Sequence, residues 1–377
     1  MAKAYLKAAK EGKNDEFYTQ LDDIAKELKH YRQHFRDKVV FCNCDDPYES
    51  NFFKYFALNF NALGLKKLIA TCYNGSPIAG DELPLLFELP TAGEDDRAPK
   101  KIAYKVEISE VRDYNNDGAV NLADVQYLIQ NDKNVLSLLK GNGDFRSQEC
   151  IELLKEADIV VTNPPFSLFR EYVAQLVQYN KRFIILGNMN AITFKEIFAL
   201  IKDNKLWLGN GFNLSMIFKT TYANTLEANR KYVRAKGYDP DKNFVKTPAI
   251  AWYTNLDIQK RHETLDLYKN YTVEEYLPYF NYDGINVDRV TDIPIDYDGV
   301  MGVPITFLDK FNPDQFEIIG LGISNSGLEC GVRPYKPEHK KYRKEVQKRG
   351  AVDGDLYMMI DGVVTVPYAR ILIRRKR

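Results

Sequence analysis

Apolar and polar positions along the first two thirds of the chain predict helices and strands in turn. Residues 18–36 place Ile24, Leu28, Tyr31 and Phe35 at helical spacing, which predicts an amphipathic helix with these side chains on one face. The following segment, KVVFCNCDDP, begins as an apolar run typical of a buried strand and ends in an acidic turn.

The same alternation continues beyond this strand. Ser50 is suited to cap a helix over residues 50–64, and Gly64 is suited to end it. Further predicted elements are, in chain order, a strand at 66–74, a helix at 167–180, a strand at 181–190, a helix at 193–204 and a strand at 205–209. Strand–helix alternation predicts an α/β fold with a mainly parallel, doubly wound sheet.

The alternation is interrupted twice. Residues 74–100 are rich in Pro, Gly, Asp and Glu, which predicts a loop or an insertion. Near residue 258 the pattern fades into a region rich in Tyr, Asp, Pro and Gly. We therefore predict one domain over residues 1–257 and a second over residues 258–377.

The segment ADIVVTNPPFSLF, residues 157–169, ends an apolar run on polar and stiff residues. Residues 159–161 are typical of a buried strand, and proline cannot continue a sheet ladder because it has no N–H to donate. The segment therefore predicts a strand end followed by a stiff turn that holds Asn163 and Phe166 at the carboxyl edge of the sheet. In open α/β sheets that edge is where ligands bind.

Composition is that of an ordinary globular protein, with 45% hydrophobic and 28% charged residues among 377. No window approaches 18 consecutive apolar residues, and the first residues are too polar for a secretory segment. The five cysteines are odd in number and scattered, and the Cys-x-Cys spacing at Cys42 and Cys44 fits neither a zinc knuckle nor a redox pair. We expect reduced, structural thiols in a cytoplasmic protein.

Charge is balanced overall but unevenly distributed. The net charge is zero, which argues against a general nucleic-acid binder. From Gly331 onward, however, the chain has thirteen Lys and Arg residues and five Asp and Glu residues. Such a cluster fits either a solvated tail or a surface that neutralises phosphates.

The stretch DYNNDGAVNLAD matches the spacing of a calcium-binding loop. Asp113, Asn115 and Asp117 fall at loop positions 1, 3 and 5, Gly118 at the sharp turn, and Asp124 at position 12. Position 12 is Asp instead of the longer Glu, and the sequence shows no second loop to pair with it. An Asx-rich turn that caps a helix explains the same residues without a metal, so both interpretations stay open.

The Asn-Pro-Pro-Phe segment fits chemistry on an aromatic amine. The lone pair of such an amine is delocalised into the ring, and hydrogen bonds from both N–H groups would draw the nitrogen towards a nucleophilic geometry. The side-chain oxygen of Asn163 and the carbonyl of Pro164 are suitable acceptors, because Pro165 restricts Pro164 to an extended conformation. Phe166 would stack on the base, as aromatic residues do in flipped-base pockets. A strand-terminating turn with a packed Phe is the structural alternative.

The Asn-Pro-Pro-Phe segment and several other segments of the chain resemble the EcoRI-type adenine-N6 DNA modification methyltransferase family. NPPF after DIVVT resembles the catalytic motif of amino-group methyltransferases that use S-adenosylmethionine. The other similar segments, in the order of that family, are DEFYTQ (15–20), KVVFCNCDDP (38–47), SNFFKYFALNF (50–60), GLKKLIATCY (64–73), GDFRSQECIELLKEADIVVTNPPFSLF (143–169) and YDGVMGVPITFLDKFNPDQFEIIG (297–320). The resemblance covers most of the chain and implies a Rossmann-like S-adenosylmethionine-dependent methyltransferase fold, with an insertion around 74–135 and a C-terminal target-recognition region.

The resemblance also implies roles for individual residues. The implied catalytic residues are Asn163, Pro164, Pro165 and Phe166. The implied cofactor-binding residues are Phe17, Tyr18, Thr19, Asn43, Cys44, Asp45, Asp144, Phe145 and Asn163. The turn after the first strand lacks the usual glycines, a departure that the family shares; Asp45 would pair with the ammonium group of the cofactor, whereas Asp46 fits a surface charge equally well. Asp144 would accept from the exocyclic amine of the cofactor's adenine.

The implied reaction is direct methyl transfer to N6 of a flipped adenine in double-stranded DNA, without a covalent enzyme intermediate or a metal. The basic C-terminal region would read bases and hold phosphates. A monomer acting on DNA in the cytoplasm, beside a restriction endonuclease for the same site, fits this interpretation. Two alternatives stay open: methylation of a protein amide or another amine, and a calcium-dependent binding module.

Overall fold

The computed structural model describes residues 17–376 apart from 45, 48, 74–102, 115, 132–134 and 221–222. The chain divides into two compact units. The first contains the residues up to Ala191 together with Gly209–Leu256, and the second contains Ile192–Leu208 together with the residues from Asp257 onward. None of the described helices is long and apolar enough to cross a membrane.

A mixed sheet forms the centre of the first unit. Its strands are β1 (Phe17–Thr19), β2 (Val39–Cys42), β3 (Lys67–Thr71), β4 (Tyr104–Ile108), β5 (Leu136–Leu138), β6 (Ile159–Thr162), β7 (Arg182–Asn188), β9 (Leu214–Thr220) and β10 (Phe244–Thr254). They lie side by side in the order β1-β9-β10-β7-β6-β2-β3-β4-β5. The pairs β7–β6, β6–β2 and β2–β3 are parallel, and the pairs outside them are antiparallel. Strand–helix alternation predicted the parallel centre but not the antiparallel pairs on both sides.

Helices cover this sheet with their apolar faces. Those of the first unit, numbered along the whole chain, are α1 (Leu21–Leu28), α2 (Asn51–Leu58), α3 (Phe60–Leu63), α4 (Leu122–Asn131), α5 (Gln148–Glu156), α6 (Phe169–Gln178) and α8 (Glu227–Ala235). The predicted face of Ile24, Leu28, Tyr31 and Phe35 is confirmed, because all four side chains are buried.

Local sequence signals set several of the helix ends. Ser50 caps α2 as predicted, with its hydroxyl accepting from the backbone N–H groups of Phe52 and Phe53. Gly64 ends α3 in the left-handed conformation, as predicted, with a φ of 63°. The prediction of one helix over 50–64 was wrong in detail, because the chain breaks at Asn59 into α2 and α3.

The second unit contains smaller sheets and three α-helices. Its helices are α7 (Lys195–Lys202), α9 (Ser324–Glu329) and α10 (Pro337–Glu345). Its strands are β8 (Trp207–Leu208), β11 (Ile285–Asn286), β12 (Met301–Pro304), β13 (Phe316–Leu321), β14 (Met358–Ile360), β15 (Val363–Thr365) and β16 (Arg370–Arg375). The order β11-β12-β16-β13 forms one sheet, and β14 and β15 form a hairpin. Short 3-10 helices along the whole chain are Lys29–His34, Phe166–Leu168, Met189–Thr193, Pro240–Lys242, Gln259–His262, Val290–Asp292 and Ile305–Lys310.

Candidate active site

The Asn-Pro-Pro-Phe segment leaves the carboxyl end of β6, beside the end of β2. These strands pair in parallel, with Val40 opposite Ile159, so both chains emerge at the same edge of the sheet. The Thr162 hydroxyl donates a hydrogen bond to the backbone carbonyl of Asn43, and the Tyr172 hydroxyl donates to the Asn43 side-chain oxygen. These buried bonds fix the turn after β2 against the strand that carries the motif.

The four motif residues differ in exposure. Asn163 and Pro164 are buried, with Asn163 9% exposed, while Pro165 and Phe166 are half-buried. A 3-10 helix begins at Phe166, so the chain turns sharply after the second proline. The Phe166 ring meets the Phe218 ring edge to face, with 6.5 Å between centroids. The motif therefore places an amide, a carbonyl and a partly accessible aromatic ring at one sheet edge.

The turn after β2 takes a conformation that glycine usually supplies. Cys44 has a φ of 65°, in the left-handed region that side chains with a Cβ rarely adopt. Asp46 is 5% exposed and accepts a hydrogen bond of 2.9 Å from the Tyr104 hydroxyl, so the interpretation of Asp46 as a surface charge was wrong. Asp45, the residue expected to meet an ammonium group, lies outside the described residues.

The predicted Gly143-Asp144-Phe145 turn packs tightly on the end of β3. Gly143 has a φ of 76°, and a Cβ at this position would lie 2.0 Å from the carbonyl oxygen of Cys72. Only glycine fits so close an approach. Phe145 is buried against the edge of the Tyr172 ring, with centroids 5.1 Å apart.

Asp144 is bound within its own turn. Its carboxylate accepts hydrogen bonds from Arg146 Nε at 2.9 Å and Nη2 at 2.7 Å, and the Arg146 guanidinium lowers the pKa of Asp144. Arg146 also reaches the Glu171 carboxylate at 3.2 Å. The Arg146 backbone N–H also donates to Asp144, at 2.8 Å. With three of about four acceptor sites of the carboxylate occupied, Asp144 keeps capacity for one more donor.

Residues 17–19 form an edge strand instead of the start of a helix. Strand β1 pairs with β9, and the Asn51 side chain donates to the Thr19 carbonyl at 2.8 Å. Tyr18 is half-buried, and the Phe17 side chain lies outside the described residues. The Thr19 hydroxyl is buried and has no hydrogen-bond partner within the described chain. Three residues are too few for periodicity to reveal a strand.

Comparison with known proteins identifies the family. The family model described as "Adenine-specific methyltransferase EcoRI" matches residues 5–376. The chain belongs to this family. It is 44% identical to the type II methyltransferase M.EcoRI of Escherichia coli, over 99% of this chain and 96% of that protein. It is 39% identical to M.MpnI of Mycoplasma pneumoniae, over 88% of this chain and 87% of that protein.

A third similar protein is the type II methyltransferase M.MgeORF184P of Mycoplasma genitalium, with 36% identity over 88% of this chain and 87% of that protein. A search of solved structures found no match. The resemblance inferred from the sequence is therefore confirmed, and the chain is an adenine-specific methyltransferase.

Two aromatic residues of the candidate site were not predicted from the sequence. Tyr172 holds Asn43, and its signal was a polar hydroxyl among the apolar positions of the predicted helix 167–180. Phe218 contacts Phe166 from β9, and no local pattern marks it. Contacts between distant strands depend on sheet order, which periodicity does not report.

The calcium-like loop of the methyltransferase is closed by its own carboxylates. Asp113 accepts from the backbone N–H groups of Asp117 and Gly118, at 3.2 and 2.8 Å. Asp124 is 1% exposed and accepts from the N–H groups of Tyr114 and Asn121, both at 2.8 Å. Asn115 lies outside the described residues. Within the described chain, no group of three or more His, Cys, Asp or Glu side chains is arranged to hold a metal.

Proposed function

We propose that the chain transfers the methyl group of S-adenosylmethionine to N6 of an adenine flipped out of duplex DNA. The observation that carries this proposal is the position of Asn163–Phe166 at the carboxyl edge of β6, joined through Asn43 to the turn after β2. Ligands of open α/β sheets bind at this edge, where the strand order reverses.

Strand order supports a Rossmann-like fold for the first unit. The strands β4, β3, β2, β6 and β7 lie side by side in the doubly wound order 3-2-1-4-5, with the last four parallel and β4 antiparallel to β3. The order reverses between β2 and β6, so the switch point lies between Asn43 and the motif. The antiparallel strands β10 and β9 extend the sheet beyond β7.

The residues at this edge fit S-adenosylmethionine. The buried Thr19 hydroxyl lacks a partner, and Gly143 brings the backbone close to the end of β3. We infer that Thr19, Asn43, Asp144 and Phe145 hold the cofactor. When bound, S-adenosylmethionine supplies an electrophilic methyl group on a positively charged sulfur.

The motif would prepare the acceptor nitrogen. The Asn163 side-chain oxygen and the Pro164 carbonyl accept hydrogen bonds from the two N–H groups of the adenine amine, which increases the electron density on nitrogen in the direction of transfer. Pro165 keeps Pro164 extended, so that its carbonyl stays available. Phe166 stacks on the base and compensates part of the few kcal/mol that flipping costs. Positioning and electrostatics supply the acceleration.

The second unit contains a charge separation that supports a C-terminal target-recognition region. Residues 257–330 contain five Lys and Arg against fourteen Asp and Glu, while residues 331–377 contain thirteen against five. An anionic duplex would therefore approach this unit through its last 47 residues. The exposed side chains of α10 and of the residues just after it are the natural phosphate contacts.

The inner face of α10 is fixed by packing and hydrogen bonds. Lys340 reaches Asp353 at 2.6 Å, and Arg343 donates to the Gly350 carbonyl at 3.0 Å. These two cations therefore have structural partners within the unit. Tyr342 packs on the cluster of Tyr335, Ala351, Tyr357 and Val364.

Three cations in the last turn of α10 and just after it differ from these. Lys344, Lys348 and Arg349 are exposed, and within the described chain none of them makes a salt bridge. We infer that these three side chains bind DNA phosphates.

The similarity to type II methyltransferases suggests a role in restriction-modification, acting on cytoplasmic DNA beside an endonuclease for the same site. The test uses tritiated S-adenosylmethionine with unmethylated genomic DNA or with a protein extract, in calcium-free buffer and with calcium. Label recovered from DNA as N6-methyladenine without calcium supports the proposal. Label confined to protein, or appearing only with calcium, would overturn the acceptor or add a metal requirement.

A further inference from the structure

Two threonine hydroxyls are buried without hydrogen-bond partners on one face of the β1-β9-β10 sheet extension. Thr19 lies opposite Phe218, and Phe218 lies opposite Val245 on the next strand. Thr247 follows Val245 by two residues, so it belongs to the same face. The Thr19 and Thr247 side-chain oxygens have no partner within the described chain, although these residues are only 3% and 5% exposed.

A buried hydroxyl without a partner is unfavourable, because it has lost its water without gaining another hydrogen bond. Thr254, on the same strand, shows the usual arrangement, since its hydroxyl donates to the Phe183 carbonyl at 2.7 Å. The hydroxyl of Thr247 therefore calls for an explanation that packing alone does not provide.

The backbone next to Thr247 is irregular in a way that re-aims side chains. The pairing of β10 with β9 shifts register between Thr247 and Ile250, which marks a β-bulge. Ala249, within the bulge, has a φ of 58°, in the left-handed region that alanine rarely adopts. Bulges are frequent beside active sites, and strained residues cluster there.

The face that carries Thr247 is also the face that meets the Asn-Pro-Pro-Phe motif. The Phe166 ring contacts the Phe218 ring, edge to face. Thr247 itself lies just beyond the end of β7, because Ile250 pairs with Asn188, the last residue of that strand. Thr247 thus lies beyond the carboxyl end of β7, which is aligned with the end of β6 from which the motif leaves.

The Thr19 and Thr247 hydroxyls have different neighbours. Thr19 is tied through its carbonyl to Asn51, the first residue of the helix that follows β2, on the side proposed for the cofactor. Thr247 lies on β10, two strands from β6, and shares its face with Phe218, which contacts Phe166 of the motif. In-line transfer places the acceptor and the methyl donor on opposite sides of the transferred group, so we assign the hydroxyl beside the motif to the base and the one tied to Asn51 to the methyl donor.

We propose that the Thr247 hydroxyl donates a hydrogen bond to a ring nitrogen of the target adenine. This inference rests on the proposed function, in which the Asn163 side-chain oxygen and the Pro164 carbonyl accept hydrogen bonds from the two N–H groups of the amine. Adenine then has only ring-nitrogen acceptors left, and a threonine hydroxyl is a suitable donor for one of them. Thr247 thereby positions the base for transfer, while Thr19 serves the cofactor.

The experiment compares Thr247→Val with the wild-type chain and with Thr247→Ser. Initial rates of N6-methyladenine formation are measured against the concentration of unmethylated genomic DNA fragments, and S-adenosylmethionine binding is measured by calorimetry without DNA. We expect Thr247→Val to lower kcat/KM for DNA about tenfold, the upper range for one lost neutral hydrogen bond. Affinity for S-adenosylmethionine should stay within about twofold, and Thr247→Ser should restore most of the loss.

Stability separates this role from a structural one. Because valine is isosteric and removes an unsatisfied hydroxyl, the thermal midpoint of Thr247→Val should equal or exceed that of the wild type. Thr254→Val is the matched control, since it removes a satisfied hydroxyl from the same strand and should lower the midpoint without a specific change in kcat/KM. Thr247→Ala gives the same readout if valine disturbs the packing.

Three results would overturn the inference. If kcat/KM for DNA is unchanged in Thr247→Val while the wild type is active, the proposed hydrogen bond to adenine is excluded and the proposed function is left intact. A loss confined to S-adenosylmethionine affinity assigns the hydroxyl to the methyl donor. A wild-type chain that forms no N6-methyladenine removes the proposed function and this inference together.

Discussion

Neutralising three exposed cations, one in the last turn of α10 and two shortly after it, should change how DNA affinity depends on salt. The variant carries Lys344→Gln, Lys348→Gln and Arg349→Gln, three exposed side chains without salt bridges within the described chain. Their replacement should leave the packing of α10 intact, because Lys340 and Arg343 make the bonds that hold it. The lost interaction is therefore contact with phosphate.

The magnitude follows from counterion release. Each phosphate contact contributes about 0.9 to the slope of log affinity against log salt, so three contacts contribute about 2.7. Between about 50 and 200 mM salt, wild-type affinity should fall about 40-fold more than that of the variant. Loss of a single contact would change the slope by only about 0.9.

Fluorescence anisotropy with a labelled duplex, titrated at several salt concentrations, measures both slopes. The control carries Lys195→Gln, Lys269→Gln and Lys310→Gln, an equal change of charge at lysines of the same unit, of which Lys195 and Lys310 are exposed and Lys269 is half-buried. Lys195 and Lys269 are paired with Glu329 and Glu275, and their loss should leave the slope nearly unchanged. Equal slopes for the wild type and the α10 variant would refute the assignment, as would an equal loss in the control.

Two further predictions concern stability. The free energy of unfolding of Cys44→Gly should be about 1 kcal/mol higher than that of Cys44→Ala, because both variants lose the sulfur but only glycine adopts a φ of 65° without strain. Equal midpoints for the two variants in urea denaturation would contradict this. Glu27→Ala should lower the free energy of unfolding by at least about 3 kcal/mol, because three donors lose their buried acceptor. The Glu27 carboxylate accepts hydrogen bonds from the Tyr31 hydroxyl at 2.8 Å and from the N–H groups of Asn210 and Gly211 at 2.6 and 2.7 Å. A loss below about 1 kcal/mol in the same denaturation experiment would show that these donors find other partners.

Local patterns were enough to predict the elements that build the centre of the first unit. The apolar run before Asn163 forms β6, Ser50 caps the start of α2 and Gly64 ends α3, all as expected. These features are predictable because caps and periodicity depend on neighbouring residues alone. They also placed the motif correctly at the end of β6, a consequence of the missing N–H of proline.

Features that depend on distant residues were not predictable. The burial of Asp46 under Tyr104 joins positions 58 residues apart, and the contact between Phe166 and Phe218 requires the order of the sheet. Cys44 occupies a left-handed position that its residue type gave no reason to expect. The pairing of Asp144 with Arg146 is local, yet composition alone did not show that this carboxylate has a partner within its own turn.

Asn163→Ala tests the central claim most directly. Transfer to unmethylated DNA is measured with tritiated S-adenosylmethionine in single-turnover conditions, beside cofactor affinity and thermal unfolding, with Asn131→Ala on α4 as a control outside the motif. We predict that Asn163→Ala folds and binds cofactor like the wild type while its rate falls by at least about 100-fold, as when one preorganised polar contact to the reacting group is lost. A rate within about threefold of the wild type would contradict polarisation of the adenine amine by Asn163.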